Sequence, residues 1–220
     1  RSFQDESINQ NFNLTAINSI NWFRVLPQSI YYAWSYLNHN IKSFVVPSGN
    51  FGNIYSAYVL RKMGFPIKDL VIATNENNIL HRIMKYNDLS LHEVVKTNSP
   101  SMDITISSNF ERLLCEFVEP LDLDDLYKKM PNNIHSQSLN PKIHEQLSQK
   151  FLSVSVNSNE VVRQIKRLYK NLNILIDPHT AVGVQGAEKL NLKNVACLAC
   201  AHPVKFQETV KQSLKQDIQY

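Results

Sequence analysis

The chain of 220 residues is 43% hydrophobic and 19% charged, the balance of an ordinary globular protein with one substantial core. That apolar content excludes disorder over most of the length, and no run approaches the ~18 uninterrupted apolar residues of a membrane-crossing helix. With 23 Lys and Arg against 19 Asp and Glu, the formal charge is +4, too mild and too dispersed to point to nucleic acid. Three cysteines are few and odd in number, so a reducing, cytoplasmic setting is expected. The opening, Arg1-Ser2-Phe3-Gln4-Asp5, reads as mid-domain sequence without an initiator methionine, and a fragment or processed piece is expected.

Strand and helix signals alternate along the first half. Ser43-Phe44-Val45-Val46 is a short apolar run closed by Pro47-Ser48-Gly49 and predicts a buried strand. Helical spacing follows from Ile54 to Met63, stopped by Gly64 and barred from resuming by Pro66. Asp69 to Thr74 predicts a second strand, and Asn78 to Tyr86 a helix. This rhythm implies an α/β fold, with parallel strands joined by crossover helices. The segment from about 87 to 155 is less regular and insertion-like; within it Phe110 to Phe117 and Leu121 to Met130 have helical patterns, and Pro131 to Pro141 reads as a surface loop. Beyond it, Asn157-x-x-Glu160 is a capping box for a helix reaching about Leu172. Asp177-Pro178 is a cap and first position for a helix to Leu190. Val195 to Ala201 predicts a strand and Val204 to Leu214 an amphipathic helix.

The strongest chemical signal is Pro47-Ser48-Gly49-Asn50-Phe51-Gly52-Asn53, between a buried strand and a helix. Two glycines three apart let successive N–H groups point into one concavity, and the helix that follows adds its free N–H groups and positive dipole end. Such a cradle suits a phosphate. The third glycine of a dinucleotide fingerprint and the Gly-Lys-Ser/Thr of a P-loop are both absent. A tight turn needing glycine for geometry alone is the competing reading. With only five glycines in the chain, two within four residues at a strand's carboxyl end favour a ligand. A second cluster, Asn18-Ser19-Ile20-Asn21-Trp22-Phe23-Arg24, offers amides, a hydroxyl and a guanidinium that could hold an oxyanion. Its alternative is a polar helix start capped by Ser19 or Asn21, with Arg24 solvated.

Several strings, in order, resemble threonine synthases, pyridoxal-phosphate enzymes of the tryptophan synthase β fold type. They include Asn-Ser-Ile-Asn-Trp-x-Arg at 18–24, Val-Pro-Ser-Gly-Asn-Phe-Gly-Asn at 46–53 and Ala-Thr-Asn-Glu-Asn at 73–77. Ser-Pro-Ser-Met-Asp-Ile at 99–104, Ser-Asn-Phe-Glu-Arg-Leu-Leu at 108–114, Asp-Pro-His-Thr-Ala-Val-Gly at 177–183 and Ala-His-Pro-x-Lys-Phe at 201–206 complete the set. The resemblance implies that residues 1–220 are the carboxyl-terminal portion of a two-domain enzyme about twice as long, with a parallel sheet and flanking helices. It implies that Gly49, Asn50, Phe51, Gly52 and Asn53 bind the phosphate of pyridoxal 5'-phosphate, and that Asn18, Ser19 and Arg24 hold the phosphate of the substrate, O-phosphohomoserine. Cys200 stands where the family usually places a hydroxyl facing the pyridine nitrogen.

The resemblance also implies what this chain lacks. The family's Schiff-base lysine and its Ser-Gly-Asp-Thr-Gly substrate loop belong to an amino-terminal segment, and neither motif occurs here. Lys205 belongs to a different motif. No catalytic residue is therefore expected in this chain, and the missing half, or a homo-oligomer, is the expected partner. The family's reaction makes threonine and phosphate from O-phosphohomoserine and water. A related phospho-lyase, or a degenerate fragment that only binds, are the other readings. An apolar patch left uncovered by the missing half is also expected.

Other signals are discounted. Cys197-x-x-Cys200 is placed on an apolar strand, where residues three apart face opposite ways, and no second pair exists for zinc. The histidines show no metal-ligand spacing, and His179 and His202, beside prolines at helix starts, read as structural. Tyr31, Tyr32, Trp34 and Tyr36 lack interleaved basic residues and read as core packing rather than nucleic-acid stacking. Pro27 should kink the helix it interrupts.

Overall fold

The computed structural model describes residues 18–130 and 137–215. Its sheet contains four parallel strands, β1 (Ser43–Pro47), β2 (Asp69–Thr74), β3 (Leu152–Ser155) and β4 (Val195–Cys197), in the order β3-β2-β1-β4. Ser43 lies opposite both Asp69 and Val195, and Val71 opposite Leu152. β1 is buried at every position, as a parallel strand covered on both faces must be.

Alternation along the two central strands builds two cores. Phe44, Val46, Leu70 and Ile72 face one side, where they meet α2 (Ser29–His39), α3 (Gly52–Lys62), α4 (Ile79–Tyr86), α5 (Phe110–Leu114), α6 (Pro120–Lys129) and α7 (Pro141–Ser148). Val45, Val71, Ala73 and Val154 face the other, covered by α8 (Ser158–Leu172), α9 (Pro178–Lys189) and α10 (Gln207–Leu214). A short helix α1 (Trp22–Val25) precedes α2.

The helix boundaries follow the predicted chemistry. The Asn157 side chain accepts from Glu160 N at 3.0 Å, and Glu160 Oε2 accepts from Asn157 N at 2.8 Å, closing the capping box of α8. Asp177 caps α9, with Pro178 at its first position. After α3, Gly64 takes φ 97°, as predicted. Asn40, Asn87 and Asn173 do the same left-handed work after α2, α4 and α8, which accounts for part of the asparagine abundance in a glycine-poor chain.

Several expectations need correction. The strand predicted to Ala201 ends at Cys197, because the amides of Cys200 and Ala201 donate to Thr180 and Asp177 of α9 instead of to a sheet neighbour. Cys200 therefore lies beyond the strand, and the predicted opposite-face argument does not reach it. The helix predicted from Val204 opens as a 3-10 turn, Pro203–Phe206, and becomes α-helical at Gln207. The helical pattern of Phe110 to Phe117 stops at Leu114. The segment read as irregular contains α7 and β3. Residues 131–136 of the predicted loop lie outside the described residues. Pro27 does interrupt: a 3-10 turn, Leu26–Gln28, separates α1 from α2. Of the aromatic run on α2, Tyr32 is fully buried, but Tyr31 and Trp34 are exposed, so core packing explains only part of it. No helix among the described residues is long and apolar enough to cross a membrane.

Candidate functional site

The loop from Pro47 to Asn53 leaves the end of β1 and enters α3 directly. Its left-handed residue is Phe51, at φ 62°, and neither Gly49 nor Gly52 has a positive φ. A bulky residue in that conformation costs on the order of 1–3 kcal/mol. Burial offsets this: Phe51 is 1% exposed, edge-on to Phe110 at 5.4 Å and to Phe151 at 5.6 Å, worth roughly 2–3 kcal/mol. The glycines are there for room. A Cβ on Gly49 would stand 3.1 Å from Met102 Cα and 3.4 Å from the Ser101 oxygen. On Gly52 it would stand 3.2 Å from Asn109 Nδ2 and 3.4 Å from the Ser19 oxygen.

The loop is fastened from outside through its carbonyls. Asn50 O accepts from Asn109 N at 3.1 Å and from Asn109 Nδ2 at 2.9 Å, and Gly49 O accepts from Ser107 Oγ at 2.7 Å. Asn53 Oδ1 accepts from Tyr32 OH at 2.5 Å. Its N–H groups are spent differently. Ser48 N donates to Ala73 O at 2.8 Å, but the amides of Gly49, Asn50, Phe51, Gly52 and Asn53 have no acceptor among the described residues. Buried or half-buried amides normally find one. A cluster of them at a helix start is the donor set of an anion site.

These residues line a cavity of about 250 Å³ together with Ser19, Arg24, Ser101, Met102, His179, Cys200 and Phe206. Arg24 is exposed and has no ion pair among the described residues. Asn18 lies outside the cavity, because its Oδ1 accepts from Ile20 N at 3.1 Å and closes a local turn. Asn21 caps α1 by accepting from Phe23 N at 2.9 Å. The two alternatives for residues 18–24 thus coexist: one asparagine caps the helix while Ser19 and Arg24 reach the cavity.

The opposite wall hangs on Asp177, which is 1% exposed. Oδ1 accepts from His179 N at 2.9 Å and His179 Nδ1 at 3.0 Å; Oδ2 accepts from Thr180 Oγ1 and from Ala201 N at 3.3 Å. Burial works against the carboxylate's charge, but these donors more than offset it and hold the carboxyl below its ordinary range. With Nδ1 donating to Asp177, His179 Nε2 accepts from Ser101 N at 3.1 Å. With a partner on each ring nitrogen, the imidazole is a strut between Asp177 and Ser101. Thr180 Oγ1 accepts from Cys200 N at 3.0 Å. Cys200 is exposed as a residue, but crowding around its sulfur and the Asp177 carboxylate raise its thiol above the ordinary value, so it is protonated near pH 7.

The Ser101 wall is braced in turn. Asp103 Oδ1 accepts from Asn75 Nδ2 at 2.8 Å, Asn77 Nδ2 at 2.9 Å and Thr97 Oγ1 at 2.6 Å, anchoring residues 95–103 to the end of β2. Ser107, Asn109, His179 and Ser101 were not singled out as site residues from the sequence. Their signal lay in the strings around 73–77, 99–104, 108–114 and 177–183, whose task is to hold the loop and its walls.

The donor set and the protonated thiol fit a phosphate-bearing aromatic cofactor, and the parallel sheet is that of pyridoxal-phosphate enzymes of the tryptophan synthase β type. The crystal structure of pyridoxal-phosphate-bound threonine synthase from Brucella melitensis superposes with a TM-score of 0.90 at 35% identity, covering 99% of this chain and 48% of that one. Threonine synthase of Schizosaccharomyces pombe is 35% identical over 99% of this chain and 49% of its own length, and that of Saccharomyces cerevisiae 39% identical over 96% and 46%. A family model described as threonine synthase, C-terminal, matches residues 180–219. The chain belongs to the threonine synthase family, and it spans about half the length of the curated relatives it matches.

Proposed function

We propose that this chain is the carboxyl-terminal, phosphate-binding half of a threonine synthase that converts O-phosphohomoserine and water to threonine and phosphate. The observation that carries the reading is the row of amides from Gly49 to Asn53, unpaired within the described residues and lining a cavity that includes Arg24 and Cys200. When bound, pyridoxal 5'-phosphate supplies an electron sink for carbanion chemistry at the substrate carbons. The amides and the α3 dipole hold its phosphate, and the absence of side chains at Gly49 and Gly52 lets Met102 and Asn109 close against the back of the loop. Cys200, held neutral, lets the pyridine nitrogen remain unprotonated where a carboxylate would protonate it. Arg24 supplies a fixed positive charge for the substrate's phosphate and Ser19 a hydroxyl beside it. The lysine that carries the cofactor comes from the amino-proximal half, and three free cysteines suit a reducing cytoplasm.

The test joins this chain to the amino-proximal segment of the S. cerevisiae relative in one polypeptide and supplies pyridoxal 5'-phosphate. The expected result is release of phosphate and threonine from O-phosphohomoserine. Arg24→Ala should raise KM about tenfold or more, and Arg24→Lys should recover part of the loss. A folded, cofactor-loaded chimera that releases no phosphate would overturn the reading.

A further inference from the structure

Helices α1 and α2, with the 3-10 turn between them, carry exposed apolar side chains. Phe23 is 87% exposed, Leu26 46%, Ile30 63%, Trp34 57% and Leu37 72%. Steps of four and three put Ile30, Trp34 and Leu37 on one face of α2, opposite the fully buried Tyr32, and Phe23 of α1 and Leu26 of the 3-10 turn add exposed apolar surface just before it. A water-facing helix is ordinarily rich in charge. From Trp22 to Asn38 the sole Lys, Arg, Asp or Glu is Arg24, at the cavity end of the patch. The five side chains present on the order of 500 Å² of apolar surface, well over half of the roughly 800 Å² each partner gives to a standard interface.

We propose that this patch is the docking face for the amino-proximal half of the family's chain, whether carried on the same polypeptide or on a separate one. Length argues for that occupant: curated relatives carry about as much chain again as the part matched here. Position argues for it too. The patch starts beside Arg24 on the rim of the cavity, so a body seated on it reaches the cavity mouth. A partner that buries the patch without a charged counterpart is apolar at its centre, as a permanent interface is.

This inference rests on family membership and not on the cofactor reading, and its test reads burial rather than catalysis. Hydroxyl-radical footprinting compares the isolated 220-residue chain with the chimera that carries the S. cerevisiae amino-proximal segment. Phe23, Trp34 and Leu37 should react freely in the isolated chain and about tenfold more slowly in the chimera. Leu121, 83% exposed on α6, should react equally in both. Ile30→Glu and Trp34→Glu should leave the unfolding midpoint of the isolated chain unchanged and lower that of the chimera. Equal reactivity of Trp34 in the two proteins would overturn the proposal. So would an isolated chain that sediments as a dimer with the patch protected, since the occupant would then be a second copy.

Discussion

Asn109 donates from Nδ2 to the carbonyl of Asn50 at 2.9 Å, and the same nitrogen donates to Ser19 O at 3.0 Å. One fully buried amide thereby fixes both the phosphate loop and the segment that brings Arg24 to the cavity. Because the Asn50 carbonyl points to Asn109, the N–H of Phe51, in the same trans peptide plane, points the opposite way.

Asn109→Ala should cost about 1–3 kcal/mol of stability, since two carbonyls lose a buried donor. It should also weaken pyridoxal phosphate binding about tenfold by letting the loop relax. Denaturant unfolding and fluorescence titration check the pair. Loss of stability with unchanged affinity would mean that the loop needs no outside support.

Phe51 should invert the usual order of small residues. Phe51→Ala forfeits the aromatic packing while keeping the left-handed backbone, and should cost roughly 3–5 kcal/mol. Phe51→Gly loses the same packing but not the strain, so it should be about 1 kcal/mol more stable than the alanine variant. Equal midpoints, or alanine above glycine, would contradict the assigned conformation.

Acid should weaken the Asp177 network only below the range in which an ordinary aspartate titrates. The carboxyl's folded value lies below its ordinary, unfolded value. Its stabilisation is therefore complete above the unfolded value of about 4 and is lost as pH falls through the lower folded one. Asp177→Asn should lower stability at pH 7 and flatten the slope of stability against pH below about 4. Parallel acid limbs for the two proteins would show that Asp177 carries no such linkage.

What could be read from the sequence was what local chemistry specifies. The capping box at Asn157 and Glu160, the Asp177-Pro178 helix start and the buried run of β1 each announce themselves within a few residues. The phosphate loop was legible for the same reason, but not its conformation, since nothing about a phenylalanine signals φ 62°; burial among Phe110 and Phe151 imposes it. β3 was hidden because Leu152–Ser155 is a short edge strand with two serines and a half-exposed leucine. Asn109 was hidden among 24 asparagines, most of which do other work. The end of β4 depends on Thr180 and Asp177 competing for its backbone, a contest between residues about 20 apart that no window reveals.

The most direct measurement compares binding of pyridoxal 5'-phosphate and of pyridoxal, which lacks the phosphate, to the 220-residue chain at neutral pH. The account predicts saturable, one-to-one binding of the phosphate form, at least about tenfold tighter than pyridoxal, abolished in Gly49→Val, and without the lysine-linked absorbance near about 410–420 nm. Equal affinity for the two compounds would contradict the phosphate site. A stoichiometric, borohydride-reducible adduct on a lysine of this chain would contradict the assignment of that lysine to the other half.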